Sequence, residues 1–304
     1  MNNAHQIIVV VGPTAIGKTK LAIELSRYWD CNIISADSRQ YYKEMYLGTA
    51  VPSDTELKSA PHFLIQHKSI QDSYTVGDFE REALALIADF SKTKQKTIVV
   101  GGSGLYINAL LYGLNDFPEV PKALRAELNQ KFKDLGLNWL QQELKRLDPD
   151  YYNQVDLMNP QRIIRALEVC ISSGVPFSSW QTTSIKQRPF KFVIIGITAP
   201  RSEVYQRINL RVDQMIENGL IEEARQLWPY RELNALNTVG YKELFEYFDK
   251  KIELDQAIDL IKQNTRRFAK RQMTWFKKNQ DIQWFESESE LEKINEYIDS
   301  YHWS

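Results

Sequence analysis

Four short apolar runs, rich in β-branched residues, are separated along the chain by segments with helical periodicity. The runs cover residues 6–11, 32–36, 97–102 and 191–198. Continuous apolar runs are typical of strands that are buried on both faces, as in parallel sheets. The pattern therefore predicts an α/β fold, with a parallel sheet covered by helices on both faces.

The gap between the third and fourth runs is too long for a single crossover, and it opens with two prolines, Pro118 and Pro121. Helical periodicity then fills residues 123–174. Prolines bracketing acidic residues are typical of a boundary. We therefore expect an all-helical insertion domain at 119–189, within a core formed by residues 1–118 and 190–304.

The first run leads directly into a phosphate-loop pattern, G-x-x-x-x-G-K-[ST], formed by Gly12, Pro13, Thr14, Ala15, Ile16, Gly17, Lys18 and Thr19. In such loops, backbone N–H groups and a helix N-terminus cradle the anion, the lysine adds charge, and the hydroxyl can hold Mg²⁺. We therefore expect a core like that of P-loop NTPases. The pattern leaves open whether the ligand is a nucleotide or another diphosphate.

Asp37 ends the second run, and ligands of parallel sheets bind beyond the carboxyl ends of the strands. Asp37 could hold a magnesium ion, act as a general base, or cap a helix. Ser38, Arg39 and Gln40 follow it with groups suited to reading a base edge.

Glycines and one serine follow the third run, where a kinase-like enzyme would normally carry an aspartate. Gly101, Gly102 and Gly104 surround Ser103. These glycines indicate either close approach of a ligand or a tight turn with positive φ.

Clustered cations form three further candidate features. Arg162 and Arg165 share one helical face, as do Arg207 and Arg211, and either pair could contact phosphates or remain solvated. Residues 262–278 carry seven positive and no negative charges, which suits a nucleic-acid backbone. We take the aromatic residues within this segment, Phe268, Trp275 and Phe276, as core contacts.

The composition is that of an ordinary globular protein, with 43% apolar residues and a formal net charge of -1. The two cysteines, Cys31 and Cys170, are expected to be reduced thiols. His62 and His67 lack a third ligand, so we assign no metal site to them. No membrane span or export signal is recognised, and we expect a cytoplasmic protein.

Together these motifs resemble one family, the bacterial tRNA dimethylallyltransferases. The motifs that carry the resemblance occur in the order and at the spacings of the family across nearly the whole chain: GPTAIGKT, SADSRQYY, GTAVP, GGSGLY, NPQRIIRALEV, INLRVDQMIENGL, VGYKE and TRRFAKRQMTWFKK.

The resemblance implies transfer of a dimethylallyl group from dimethylallyl diphosphate to the exocyclic amine of an adenosine in tRNA, with release of pyrophosphate. The adenosine lies immediately 3′ of the anticodon in tRNAs that read codons beginning with U. Asp37 would be the base, and Lys18, Arg211 and Thr19 with Mg²⁺ would stabilise the leaving pyrophosphate. Contacts to the anticodon stem-loop would come from Asp37, Ser38, Arg39, Gln40, Ser103, Arg125, Gln161, Arg162, Ile163, Ile164 and Arg165.

Three positions depart from the family pattern: Ser103 replaces threonine, Val51 replaces lysine, and Phe63 replaces a histidine. They leave the finer tRNA contacts open. Three alternatives remain: a small-molecule kinase or other P-loop NTPase, a non-catalytic RNA-binding protein, and a prenyltransferase acting on free adenine nucleotides. We expect a monomer, because one chain can embrace a single polyanion.

Overall fold

An entirely parallel sheet is the framework of the first part of the molecule, in a computed structural model that describes residues 4–181 and 186–303. The sheet order is β3-β2-β4-β1-β5-β6. The strands are β1 (His5–Val11), β2 (Asn32–Ser35), β3 (His62–Phe63), β4 (Lys96–Gly101), β5 (Phe190–Thr198) and β6 (Ile282–Glu286). The four predicted runs correspond to β1, β2, β4 and β5, which confirms the α/β class.

Helices occupy most of the remaining chain. In order they are α1 (Lys18–Tyr28), α2 (Asp54–Ser59), α3 (Val76–Phe90), α4 (Gly104–Tyr112), α5 (Lys122–Leu147), α6 (Pro149–Tyr152), α7 (Pro160–Ser173), α8 (Arg201–Glu217), α9 (Leu220–Leu227), α10 (Tyr241–Phe248), α11 (Leu254–Phe276) and α12 (Leu291–Ser300). Among the parts of the chain that the structure describes, no helix combines the length and apolarity needed to cross a bilayer.

The sheet separates two apolar cores, because alternate residues of a strand point to opposite faces. In β1, Ile7 and Val9 belong to the core that also contains residues of α3, α4, α10 and α11. Ile8 and Val10 belong to the other core, which is built with α1 and α12. All four side chains are fully buried. The central strand is therefore fixed from both sides, and so is the position at which it ends.

Three glycines, at the end of β4 and just after it, allow other groups of the protein to pack closely against the backbone. A Cβ added to Gly101 would lie 2.2 Å from the Ala36 carbonyl oxygen, and one added to Gly102 would lie 2.1 Å from the Gln272 side chain. A Cβ on Gly104 would meet the Trp275 ring at 2.1 Å. None of these glycines has a positive φ. The groups that approach these glycines closely are therefore neighbouring groups of the protein. The interpretation as a tight turn with positive φ is wrong.

Residues 113–186 form a second compact unit, and the remainder of the chain forms the first. The second unit contains α5, α6 and α7, and residues 182–185 of the expected insertion lie outside the described residues. Its helix α5 is interrupted at Gly136, where φ is 79°. Helix α7 begins at Pro160, because Asn159 accepts a hydrogen bond from the Arg162 backbone N–H at 3.2 Å and proline is favoured at the first helical position.

Gly101→Ala should lower the free energy of unfolding by about 1–3 kcal/mol, because the new methyl group must displace the backbone of Ala36. Urea denaturation measures this loss. Lys92→Ala, on an exposed turn, serves as the control and should change the free energy by less than about 0.5 kcal/mol. Equal denaturation midpoints for wild type and Gly101→Ala would show that β2 and β4 accommodate the methyl group without loss of stability.

Candidate active site

The phosphate loop lies between β1 and α1 in a curled conformation. Gly17 precedes the helix with φ 100°, and Ala15 also has a left-handed backbone, with φ 64°. Gly12 has φ 149°, and a Cβ there would lie 2.6 Å from the Ile197 carbonyl oxygen. The Lys18 ammonium donates to the Pro13 carbonyl at 2.7 Å, which holds the charge inside the curl. The loop therefore places a cation and the N-terminus of α1 around one concave space.

A distant glutamine holds this loop. Gln272, on α11, accepts a hydrogen bond from the Thr14 backbone N–H at 2.9 Å and donates one to the Gly102 carbonyl at 2.9 Å. Gln272 is 6% exposed. One amide side chain thus connects the ends of β1 and β4. This residue could not be predicted from the sequence, because a single glutamine within a basic helix carries no motif of its own.

Asp37 lies just beyond β2, as predicted, and it organises a turn. Its Oδ1 accepts hydrogen bonds from the backbone N–H groups of Arg39 at 2.9 Å and Gln40 at 3.4 Å. No helix begins here, so the helix-cap interpretation is replaced by a turn cap. The Ser103 hydroxyl accepts from the Ser38 backbone N–H at 2.9 Å, which connects this turn to the segment after β4.

The side chains of Arg39 and Gln40 are held by internal contacts. Arg39 Nη1 donates to the carbonyls of Asn234 and Ala235, each at 2.9 Å. Gln40 Nε2 donates to the carbonyls of Thr49 at 3.2 Å and Ala50 at 2.9 Å. These bonds fix the turn around Asp37 and leave each side chain less free to read a base edge.

Two cavities meet at Asp37. The first has a volume of about 270 Å³ and is lined by the phosphate loop, including Lys18 and Thr19. The second, of about 480 Å³, is lined by parts of α8, α10 and α11. Both cavities are bordered by six residues: Thr14, Asp37, Thr49, Ala50, Arg211 and Phe268. A ligand in either cavity would therefore reach the same carboxylate.

The arginine pair of α8 divides between two environments. Arg211 lines both cavities, and its Nη1 donates to the Thr14 hydroxyl at 3.5 Å. Arg207 instead pairs with Glu203, four residues earlier, at 3.6 Å. Arg211 is thus the arginine of this pair that faces the phosphate loop.

Enclosure by protein shifts the proton affinities of the three charged groups at the junction. It lowers the pKa of Lys18 to about 7, with the Arg211 guanidinium acting in the same direction and Asp37 opposing it. Removal from water raises the pKa of Asp37, against the effect of the Arg39 N–H and Lys18. It also lowers the pKa of Arg211. The site thus holds two cations and a carboxylate whose basicity is increased.

The basic segment of residues 262–278, here called the basic stripe, lies mainly on α11, and its cations have different partners. Lys262 pairs with Asp213 at 2.6 Å, and Arg266 donates to the Asn209 side chain at 2.7 Å. Arg271 lines the second cavity.

The aromatic residues of the stripe were expected in the core, and that is wrong for two of the three. Phe276 is buried, but Phe268 and Trp275 are 38% and 39% exposed. Helical spacing alone could not separate these faces, because the apolar stripe of α11 adjoins the cavities. Phe268 borders both of them, so it is a site residue that the pattern assigned to the core.

In the second unit, the candidate RNA-binding residues surround one carboxylate. Glu168 is 2% exposed and pairs with Arg125 at 2.6 Å and with Arg165 at 3.3 Å. Ile163 and Ile164 are buried among the apolar residues of this unit. Any RNA contact through the side chains of residues 161–165 therefore falls to Gln161, Arg162 and Arg165.

His62 and His67 contact other groups of the protein, and the two cysteines are buried. His67 lies 3.0 Å from Glu82, and the ring of His62 contacts the Ala60 carbonyl at 2.8 Å. Cys31 and Cys170 are both free and buried. In residues 4–181 and 186–303, no three His, Cys, Asp or Glu side chains are grouped so that they could hold a metal ion.

Comparison with known proteins points to one group. Residues 40–279 match the family model described as IPP transferase. The tRNA dimethylallyltransferase of Christiangramia forsetii is 54% identical over 297 residues, covering 98% of both chains. That of Flavobacterium johnsoniae is 50% identical over 298 residues, covering 96% of both chains. The crystal structure of tRNA isopentenylpyrophosphate transferase from Bacillus halodurans is 35% identical, with a TM-score of 0.72, and the match covers 97% of this chain and 96% of that one.

Gln272→Ala should weaken the binding of inorganic pyrophosphate by about tenfold, because the Thr14 backbone loses its hydrogen-bond partner and the loop is no longer held. Isothermal titration calorimetry measures the affinity. Gln263→Ala, on the exposed face of the same helix, should bind as wild type does. Unchanged affinity in Gln272→Ala would show that the loop keeps its shape without this contact.

The affinity for pyrophosphate should fall as the pH rises above about 7. In the free protein Lys18 loses its proton near that pH, and the bound anion favours the charged ammonium and restores the proton. Binding at pH 8 should therefore take up protons, which calorimetry detects in buffers of different ionisation enthalpy. Lys18→Arg stays charged and should take up fewer protons, while ionisation of pyrophosphate itself contributes equally to both proteins. Equal uptake would place the titration elsewhere.

Proposed function

Because this chain belongs to the IPP transferase family, among the tRNA dimethylallyltransferases, we propose that it prenylates tRNA. It transfers the dimethylallyl group of dimethylallyl diphosphate to the exocyclic amine of the adenosine immediately 3′ of the anticodon, in tRNAs that read codons beginning with U. Pyrophosphate is released. The observation that carries this proposal is the meeting of two cavities at Asp37, one of them lined by the phosphate loop.

The diphosphate occupies the first cavity. The loop of residues 12–19 receives its oxygens through backbone N–H groups and the N-terminus of α1, apart from Pro13, which has no N–H, and Thr14, whose N–H donates to Gln272. Lys18 and Arg211 supply two positive charges, and Arg211 already contacts Thr14 of the same loop. With the diphosphate bound here, the allylic carbon lies toward the junction, and the second cavity remains for the other reactant.

Magnesium fits the loop as an accessory to the diphosphate. Mg²⁺ usually keeps several waters and takes one or two protein ligands together with phosphate oxygens, so a dedicated carboxylate cluster is not required. The Thr19 hydroxyl, which lines the first cavity, would be the protein ligand. When bound, the ion would add positive charge beside the phosphate oxygens.

The chemistry at the junction requires a base and a stabilised leaving group. The amine nitrogen of adenine forms a bond to the allylic carbon while the bond from that carbon to the diphosphate oxygen breaks. The amine lone pair is delocalised into the ring, so Asp37 accepts the amine proton and makes attack possible. Lys18 and Arg211 stabilise the charge that develops on the departing pyrophosphate.

The acceptor base must leave its stack to reach Asp37, because the reacting amine bonds inside a cavity. We propose that the turn at Ser38, Arg39 and Gln40, together with Ser103, borders the flipped base. Its backbone position is fixed by the hydrogen bonds described above. In the second unit, contacts to the anticodon stem-loop come from Arg125, Gln161, Arg162 and Arg165, of which Arg125, Gln161 and Arg162 are exposed.

The residues that line both cavities belong to one chain, so a monomer contains the groups that the proposed reaction needs. The acceptor is tRNA, and we accordingly place the enzyme in the cytoplasm.

Transfer to a free adenine nucleotide is the second candidate activity, since a mononucleotide also fits a cavity of about 480 Å³. The arginines of the second unit favour a polyanionic acceptor, because a mononucleotide needs no such extended contact.

Incubation of the protein with labelled dimethylallyl diphosphate, magnesium and unmodified tRNA should place label on the tRNA, with adenosine monophosphate as the parallel acceptor remaining unlabelled.

Asp37→Asn should reduce turnover by about 10²–10⁴-fold, because the amide cannot accept the proton. Its affinity for tRNA should change little.

Label on the mononucleotide would indicate the free-nucleotide activity. ATP hydrolysis without any dimethylallyl transfer would instead support the alternative that the protein is a P-loop NTPase. Turnover of Asp37→Asn within about tenfold of wild type would show that another group is the base.

A further inference from the structure

One carboxylate outside the reacting groups is bound by an unusual set of donors. Glu223, in the first turn of α9, accepts hydrogen bonds from three consecutive backbone N–H groups. Its Oε2 accepts from Tyr46 at 3.1 Å and Leu47 at 2.7 Å, and its Oε1 accepts from Gly48 at 3.0 Å. Successive N–H groups that converge in this way form a concave anion site, which here is filled by the protein's own side chain.

A fourth donor completes the arrangement. The Tyr241 hydroxyl donates to Glu223 Oε1 at 2.7 Å, and Tyr241 is fully buried. Its ring lies against Gly48, where an added Cβ would come within 2.5 Å of the ring. Tyr241 and Glu223 therefore fix the same point of the chain from two sides, and only glycine fits between them.

The segment held by Glu223 forms a wall of both cavities. We name residues 46–52 the wall loop. Thr49 and Ala50 border the two cavities, and Gly48 borders the second. Ala50 has a left-handed backbone, with φ 51°, which a residue with a Cβ adopts only when the surroundings impose it. Glu223 holds the start of this loop through three backbone N–H groups, and Gln40 holds it through two carbonyls.

The wall loop is in turn connected to Asp37. The carbonyls of Thr49 and Ala50 accept hydrogen bonds from Gln40 Nε2, and the Gln40 backbone N–H donates to Asp37 Oδ1 at 3.4 Å. The phosphate loop is held separately, by Gln272 and by the bond from Lys18 to Pro13. A change at Glu223 is thus transmitted to the base and to the cavity wall, and the diphosphate cradle keeps its own supports.

We propose that Glu223 is a positioning residue for the transfer reaction, which acts by fixing the wall loop and, through Gln40, the carboxylate of Asp37. The inference rests on the proposed function. It predicts that losing the constraint slows the chemical step, because small displacements of reacting groups reduce rates by up to about 10²-fold. Binding of the diphosphate should change much less, although the wall loop also borders the first cavity, because Gln272 and the bond from Lys18 to Pro13 hold the phosphate loop independently.

The test compares Glu223→Gln with wild type in steady-state transfer of dimethylallyl to tRNA. The isosteric amide presents an NH₂ group where a carboxylate oxygen accepted, so at least one backbone N–H loses its partner. The kcat should fall by about 10–100-fold, while the affinity for inorganic pyrophosphate stays within about twofold. Hydrogen–deuterium exchange of peptides covering residues 43–52 should be faster, with exchange of the phosphate loop unchanged.

Two further variants keep the test decisive. Glu222→Gln changes the adjacent, exposed carboxylate, which lies 3.9 Å from Arg225, and should behave as wild type. Tyr241→Phe removes one donor and leaves the carboxylate in place, so kcat should fall by about threefold with pyrophosphate affinity unchanged. If Glu223→Gln fails to fold, Tyr241→Phe decides the question alone.

The outcomes separate this inference from the proposed function. Absence of transfer by the wild-type protein would overturn the proposed function and this inference with it. With an active wild type, an unchanged kcat in Glu223→Gln would overturn the positioning role alone, as would an unchanged kcat in Tyr241→Phe. A parallel loss of pyrophosphate affinity and kcat would also overturn it, because that pattern indicates general damage to the core.

Discussion

Two cations and one carboxylate enclosed by protein are the constraint on which the rest of the site depends. Burial lowers the pKa of Lys18, repulsion from the Arg211 guanidinium lowers it further, and Asp37 offsets only part of these two effects, so that the pKa falls to about 7. Such a site is stabilised when an anion enters, since the charges are then balanced without rearrangement. In the proposed function, binding of the diphosphate and stabilisation of the leaving group are therefore two results of the same arrangement.

Holding that arrangement requires supports from remote parts of the chain. The phosphate loop alone has a left-handed Ala15 and a glycine, Gly12, closely packed against Ile197. Helix α11 supplies Gln272 to this loop, and α9 supplies Glu223 to the loop on the other side of the cavities. The phosphate loop and the wall loop are thus short segments, and they are held by side chains from α11 and α9, helices that carry none of Lys18, Asp37 and Arg211.

The residues that could be predicted from the sequence are those that carry a local pattern. The phosphate loop and Asp37 each follow an apolar strand, so the sheet edge brings them together without further information. Gln272, Glu223 and Phe268 follow no such rule, because their roles depend on pairings between segments far apart in sequence. The two-residue strand β3 was missed for a related reason, since two residues show no periodicity. The glycines after β4 were recognised, but the sequence could not identify the groups that pack against them.

The contact between Gln272 and Thr14 joins residues 258 positions apart. At about 5–20 residues per second, a ribosome needs roughly 10 to 50 s to add that length of chain. During this time the phosphate loop has been synthesised without the helix that holds it. A nascent chain that has not yet reached α11 consequently lacks the hydrogen bond that holds the Thr14 backbone. The last tenth of translation therefore completes the support of the phosphate loop, because 32 of the 304 residues follow Gln272.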